Sequence, residues 1–133
     1  MKSLFVKDHM SRKVQSVDLN LDILAATRFL VANGISGAPV LDEHGRLVGI
    51  LTERDCMRVA LHSGYHDTPY GLVRDYMTPK PESVSPEQNI LTIAEKFIHG
   101  SYRRYPGVDN NRLVGIISRR DVLRAVVKKG GKG

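Results

Sequence analysis

The sequence predicts an α/β fold of two pseudo-symmetric repeats, each a small sheet with flanking helices, packed sheet to sheet. Three observations carry this. The first is an internal repeat: Val6-Lys7-Asp8-His9-Met10-Ser11 matches Val73-Arg74-Asp75-Tyr76-Met77-Thr78 at a displacement of 67 positions. Ser16-Val17, Ile23-Leu24, Pro39 and Asp42 find Ser83-Val84, Ile90-Leu91, Pro106 and Asp109 at the same displacement. After one residue is lost in a turn, Leu47-Val48-Gly49-Ile50 and Asp55 match Leu113-Val114-Gly115-Ile116 and Asp121 at 66. The second observation is that the periodicity of each copy changes in one order: helix, strand, helix, strand, strand, helix. The third is size. A repeat of about 60 residues buries too little apolar surface to be comfortable alone, and two copies packed through their sheets supply the missing core.

Each copy opens on a short turn of helix, Val6 to Met10 in the first, followed by an extended piece at Gln15 to Val17. Asp22, or Asn89 in the second copy, stands at an N-cap position. The first helix runs to about Asn33, where Gly34 supplies a left-handed stop, and its twin runs to about His99 with Gly100 in the same role. Ile90, Ile93, Ala94 and Phe97 form the stripe of a helix that buries one face. Two strands follow, Ala38 to Leu41 and Arg46 to Leu51, joined by the turn residues Asp42-Glu43-His44-Gly45, with Asp109-Asn110-Asn111 as the second copy's turn. Closing helices cover about Glu53 to Leu61 and Arg119 to Lys128. The domain bounds expected are 1–62 for the first repeat, 63–72 for an irregular connector, 73–128 for the second repeat and 129–133 for a basic, flexible tail.

Composition is globular: 133 residues, 41% hydrophobic and 26% charged, with no low-complexity tract. A charge at Lys2 and again at Lys7 interrupts the N-terminus before an apolar run of signal length builds up. Apolar runs such as Leu47 to Leu51 fall far short of the roughly 20 residues of a membrane span, so no membrane partner and a cytoplasmic location are expected. The single cysteine, Cys56, excludes an internal disulfide. A net charge of +6 favours anionic partners. Arg119, Arg120, Arg124, Lys128, Lys129 and Lys132 crowd the last helix and tail, but the pattern is short and lacks interleaved aromatics, which argues against a nucleic-acid surface.

The chemistry concentrates where the last strand of each copy turns into its closing helix: Thr52-Glu53-Arg54-Asp55 and Ser118-Arg119-Arg120-Asp121. A hydroxyl with an acid three residues later is a capping box, which satisfies the first orphan N–H groups of a helix. The same helix start, with a positive dipole end and Arg54, or Arg119 and Arg120, beside it, also suits a phosphate. Both readings stay open on residues alone. His62 and His66 are four apart, but Gly64 lies between them and no third ligand is evident, so no metal site is read. Cys56 has no histidine base placed by the motif and reads as a small core residue. No pair of acids, serine–histidine–aspartate set or phosphate-transfer loop points to an enzyme, and no cofactor is required.

With the repeat and both closing motifs on the page, the chain resembles a tandem pair of CBS domains, the cystathionine β-synthase-type modules that form a Bateman module. The residues that carry the resemblance are Val73 to Thr78 at a repeat start, Ile35-Ser36-Gly37-Ala38-Pro39-Val40-Leu41-Asp42 at the first strand, and the two glycine-to-aspartate segments, Gly49 to Asp55 and Gly115 to Asp121. It spans Val6 to about Val127. The resemblance implies two clefts between the repeats for adenosine-containing ligands such as AMP, ADP, ATP, NAD or S-adenosylmethionine. It implies that Thr52 and Ser118 contact phosphate while Asp55 and Asp121 bind ribose hydroxyls. Backbone at Ser16, Val17, Ile35, Ser36, Gly37, Ala38 and Pro39, and at Ser83, Val84, Tyr102, Arg103, Arg104, Tyr105 and Pro106, would hold adenine. It further implies a regulatory role, a disc-shaped homodimer, and, with no catalytic domain attached, output through a separate regulated protein. A ligand-free interaction or dimerisation module is the first alternative, and nucleic-acid binding through the basic last helix the lesser one.

The copies also differ. Gly107 stands where the first copy has Val40, and Tyr102-Arg103-Arg104-Tyr105 replaces Ile35-Ser36-Gly37-Ala38, so the two sites are expected to be unequal. Tyr102 and Tyr105 read either as a base-stacking pair or as packing at a strand start.

Overall fold

The computed structural model describes residues 3–65 and 70–130, without the side chains of 63–65, 129 and 130. His66 and the connector residues 66–69, like the tail residues 131–133, lie outside it. The chain divides into two compact units, Gln15–Pro81 and Met1–Val14 with Glu82–Gly133.

In the unit Gln15–Pro81 a sheet of order β1-β2-β3-β4 carries three helices. Strand β1 (Val17–Asp18) lies parallel to β2 (Gly37–Leu41), which pairs antiparallel with β3 (Leu47–Thr52), and β4 (Thr78–Pro79) lines the far edge. The hairpin between β2 and β3 closes on Asp42, whose Oδ1 accepts from the N–H groups of His44 and Arg46 and whose Oδ2 accepts from Arg46 Nε. These bonds, the Arg46 N–H foremost, hold the Asp42 carboxyl below its ordinary value. Helix α1 (Ile23–Asn33) starts where Asp22 accepts from Ala25 N–H and ends at Gly34, φ +61°. Helix α2 (Glu53–Tyr65) follows β3 directly, and α3 (Val73–Tyr76) is a single turn. Val17, Ile23, Leu30, Val40, Leu51 and Val73 fill the core with Cys56, which confirms its packing role; burial pushes the thiol up, away from the reactive thiolate.

The second unit repeats this plan with fewer strands. Helix α4 (Ile90–His99) begins under an Asn89 cap, β5 (Arg104–Asp109) and β6 (Arg112–Ser118) form an antiparallel pair, and α5 (Arg119–Gly130) closes it. The expected stripe is buried: Ile90, Ile93 and Phe97 join Val84, Tyr105 and Ile117 in the core, with Ala94 packed against them. Asn110 and Asn111 both adopt positive φ, 52° and 66°, as a type I′ hairpin turn demands.

Several details depart from the sequence reading. Ser83–Val84 is not a strand; Val84 makes one parallel bridge to Gly107. Strand β4 has no sequence signal, since two residues ending in proline carry no alternation. Helix α2 continues past Leu61 through Gly64 to Tyr65; one glycine costs a helix only about 1 kcal/mol. Helix α5 likewise continues past Lys128 to Gly130. Gly100 is not left-handed: its φ is −103°, and it is glycine for space, because a Cβ there would lie 2.8 Å from Tyr105 Oη and 3.0 Å from the Lys96 carbonyl.

The spatial units also exchange the opening segments of the two repeats. The 3₁₀ turn Val6–Asp8 belongs with the second repeat, through bonds from Val6 N–H to the Gln88 carbonyl and from Ser11 N–H to the Ile116 carbonyl. Helix α3 belongs with the first, through Val73 N–H to the Leu21 carbonyl. In each case a methionine seats over a strand glycine. A Cβ at Gly115 would lie 2.5 Å from Met10 Sδ, and one at Gly49 would lie 2.5 Å from Met77 Sδ. Among the described residues no helix is long and apolar enough to cross a membrane.

Candidate functional site

The order strand-to-helix without a loop fixes the site. Thr52 ends β3 and Asp55 lies in the first turn of α2, so backbone continuity alone brings their side chains together. Asp55 Oδ2 accepts from Thr52 N–H at 2.9 Å and from Thr52 Oγ1 at 3.0 Å, and Asp55 N–H donates to Thr52 Oγ1 at 3.2 Å. This is the reciprocal capping box the spacing predicts. Ser118 and Asp121 repeat it: Ser118 N–H donates to Asp121 Oδ2 at 2.8 Å, and Asp121 N–H to Ser118 Oγ at 3.1 Å.

Each box leaves the carboxylate's other oxygen to side chains. Asp55 Oδ1 lies 3.6 Å from Arg58 Nη1 and 3.5 Å from Thr78 Oγ1, and Asp121 Oδ1 accepts from Arg124 Nη1 at 2.9 Å. Arg58 and Arg124 were missed as site residues. Their signal was present, an arginine three residues after each aspartate on one helix face, where such pairs meet. The burial differs: Asp55 is 3% exposed, whereas the Asp121 side chain is 14% exposed.

The strand starts lie against these turns. Glu53 N–H donates to the Ser36 carbonyl at 2.9 Å, and Arg119 N–H to the Arg103 carbonyl at 3.3 Å. Gly37 pairs across the sheet with Thr52, and Arg104 with Ser118. Ser16, Val17, Ile35, Ser36, Gly37, Ala38 and Pro39 thus share one unit with Thr52, Arg54 and Asp55. Ser83, Val84, Tyr102, Arg103, Arg104, Tyr105 and Pro106 share the other with Ser118, Arg119, Arg120 and Asp121. Val17, Ala38, Pro39, Val84 and Pro106 are buried. The Tyr105 ring is 1% exposed, between Phe97 and a stacked Tyr102 at 4.9 Å, which decides for packing. Its hydroxyl donates to the Lys96 carbonyl, and burial pushes it above its ordinary value. His62 meets the edge of Tyr70.

A separate cavity of about 410 Å³ lies between α1 and α2, lined by Leu24, Thr27, Val31, Cys56, Met57 and Tyr70 among others. None of the residues read as nucleotide contacts lines it.

The family model of the CBS domain matches this chain twice, over residues 6–62 and 73–128. The chain belongs to the CBS-domain family. Its similarity to solved CBS pairs extends over nearly the whole chain. A structure of CBSX2 in complex with AMP, 28% identical, has a TM-score of 0.82 and covers 97% of this chain and 100% of that one. A CBS pair of the protein MJ0100 in complex with methylthioadenosine and S-adenosyl-L-methionine, 26% identical, has a TM-score of 0.75 and covers 97% of this chain and 99% of that one. By sequence this CBS pair is 31% identical to the chloroplastic CBS domain-containing protein CBSX1 of Arabidopsis thaliana, covering 92% of this chain. It is 28% identical to an uncharacterised Methanocaldococcus jannaschii protein, MJ1225, covering 90% of this chain. It spans 61% and 41% of the lengths of those two relatives.

Proposed function

We propose that this CBS pair is a regulatory module that binds an adenine nucleotide or related adenosyl ligand in each repeat and passes its occupancy to the protein activity it regulates. The observation that carries this reading is the doubled carboxylate of Asp55 and Asp121. One oxygen of each is spent on its own helix cap, and the other faces side chains alone, Arg58 and Thr78 at Asp55 and Arg124 at Asp121. An exposed arginine can swing off Oδ1, leaving an acceptor for ribose hydroxyls, the use to which an acidic residue is put in dinucleotide-binding folds. The positive end of the helix dipole with the guanidinium of Arg54, or of Arg119 and Arg120, then suits the phosphate. The capping box is the resting state of the same site. The AMP and S-adenosyl-L-methionine complexes of similar CBS pairs support the ligand class.

Thermal unfolding with AMP, ADP, ATP, NAD and S-adenosylmethionine tests this. A ligand at a hundred times its dissociation constant adds about 2.7 kcal/mol to the folded state and raises the melting temperature by several degrees. No rise with any of the five at millimolar concentration sinks the reading and leaves an interaction module in its place.

The module acts as a homodimer in this reading. Val31 at 77% and Met57 at 68% exposure flank the apolar cavity between α1 and α2, and Ile98, Leu123 and Val127 stand exposed on α4 and α5. A contiguous exposed apolar patch marks an interaction surface, and in this reading these side chains form one on each helix pair. Light scattering is expected to give twice the monomer mass, and Met57→Glu with Ile98→Glu to give the monomer. A monomer in the unaltered chain refutes the dimer.

A further inference from the structure

The two capping boxes are alike, but the charges set around them are not. Four positions surround each box: the residue whose carbonyl receives the first helix N–H, its neighbour paired across the strand from the hydroxyl, and the first two residues of the helix. In the first repeat these are Ser36, Gly37, Glu53 and Arg54, whose charges cancel. In the second they are Arg103, Arg104, Arg119 and Arg120, four positive charges.

Position makes this difference matter. Cross-strand partners project from the same face of a sheet, so the Arg104 side chain leaves the backbone beside Ser118, where the first repeat has a glycine beside Thr52. A Cβ at Gly37 would already lie 3.2 Å from the Leu51 carbonyl, so the first site has neutral, close-fitting backbone where the second has a guanidinium. Arg119 is anchored over the turn by its N–H on the Arg103 carbonyl and its Nη2 on the Tyr102 carbonyl at 3.4 Å. Glu82, whose N–H donates to the Tyr102 hydroxyl, does not cancel the cluster, because its carboxylate is paired with Lys96 at 2.9 Å. Among the described residues the Arg103 and Arg104 guanidinium groups make no hydrogen bond or ion pair. Four like charges on exposed positions repel one another at a cost to the empty protein, which a polyanion relieves.

We propose that the two sites divide adenosyl ligands by charge. The site at Ser118 and Asp121 takes the di- and triphosphates, and the site at Thr52 and Asp55 takes AMP or an uncharged or cationic adenosyl ligand. This rests on the nucleotide-binding reading above.

Calorimetric titration of the full chain with ATP, ADP and AMP, beside an Arg103→Ser, Arg104→Ser variant, tests it. Both arginines are exposed, and the variant's unliganded melting temperature serves as the folding control. ATP affinity is expected to fall about tenfold in the variant, the loss of two exposed charge contacts of ordinary strength, and AMP affinity by less than about twofold. Glu53→Arg in the first repeat is expected to create a preference for ATP over AMP there. Unchanged ATP affinity, or an equal loss for AMP, overturns the division of ligands while leaving nucleotide binding intact. If no nucleotide binds the unaltered chain at all, the reading beneath falls and the division with it.

Discussion

Gly115→Ala is expected to lower the stability of the chain by about 1–3 kcal/mol, the range of an overpacked core position. The sign is not given by the residue type. Alanine in place of glycine restricts the unfolded chain and stabilises by about 0.4–1 kcal/mol where the backbone tolerates it, and Gly115 has no positive φ to forbid it. The clash decides. A Cβ at Gly115 would lie 2.5 Å from Met10 Sδ and 2.9 Å from the Ser11 carbonyl. The methionine can turn aside. The carbonyl cannot, because Ser11 and Ile116 exchange both backbone bonds, at 2.8 and 2.9 Å, and any retreat breaks the pair. Gly107→Ala is the control: its nearest neighbour is the flexible Met10 Sδ at 3.1 Å, with the Gly115 carbonyl at 3.5 Å. Urea midpoints are expected to separate the two variants clearly, Gly107→Ala lying within about 1 kcal/mol of the parent. Equal midpoints would show that the seat of Met10 yields freely.

That seat marks the limit of what the sequence makes legible. The repeat shows as matched residues at a fixed displacement, while the caps at Asp22 and Asn89, the hairpin turns and the Thr52–Asp55 and Ser118–Asp121 pairs are local: each depends on residues within four positions of one another, where spacing carries geometry. The exchange of opening segments depends on Met10 meeting Gly115 and Met77 meeting Gly49, and the first of these spans most of the chain. Repetition cannot distinguish a methionine that packs on its own repeat from one that packs on the other, since both copies offer the same glycine. Gly100 was misjudged for a related reason. Glycine after a helix ordinarily means left-handed backbone, and only the Tyr105 hydroxyl, brought in by the next strand, supplies the alternative reason. The Tyr105 ring is assigned to the core by Phe97 and Tyr102, which flank it and which its own sequence position does not reveal.

Asp55 separates capping from binding by experiment. Asp55→Ala removes the acceptor for Thr52 N–H and Oγ1 at a position only 3% exposed. The loss of a cap costs about 1 kcal/mol, and a buried donor left unpaired about 1–3 kcal/mol more. Asp121→Ala is expected to cost about 1 kcal/mol, a cap alone, since its side chain is 14% exposed and water can reach Ser118 N–H. Alanine variants therefore confound stability with binding, and the amide resolves them. Asp55→Asn and Asp121→Asn keep a carbonyl oxygen for the cap but present one acceptor with no charge where a ribose would need two, so stability stays near the parent while nucleotide affinity falls about tenfold or more, as for a lost hydrogen bond to a charged group. A cap without a ligand predicts the opposite pattern, in which the asparagine double variant keeps the full nucleotide-induced rise in melting temperature. That result would return both aspartates to a purely structural role and place any bound nucleotide elsewhere in the chain.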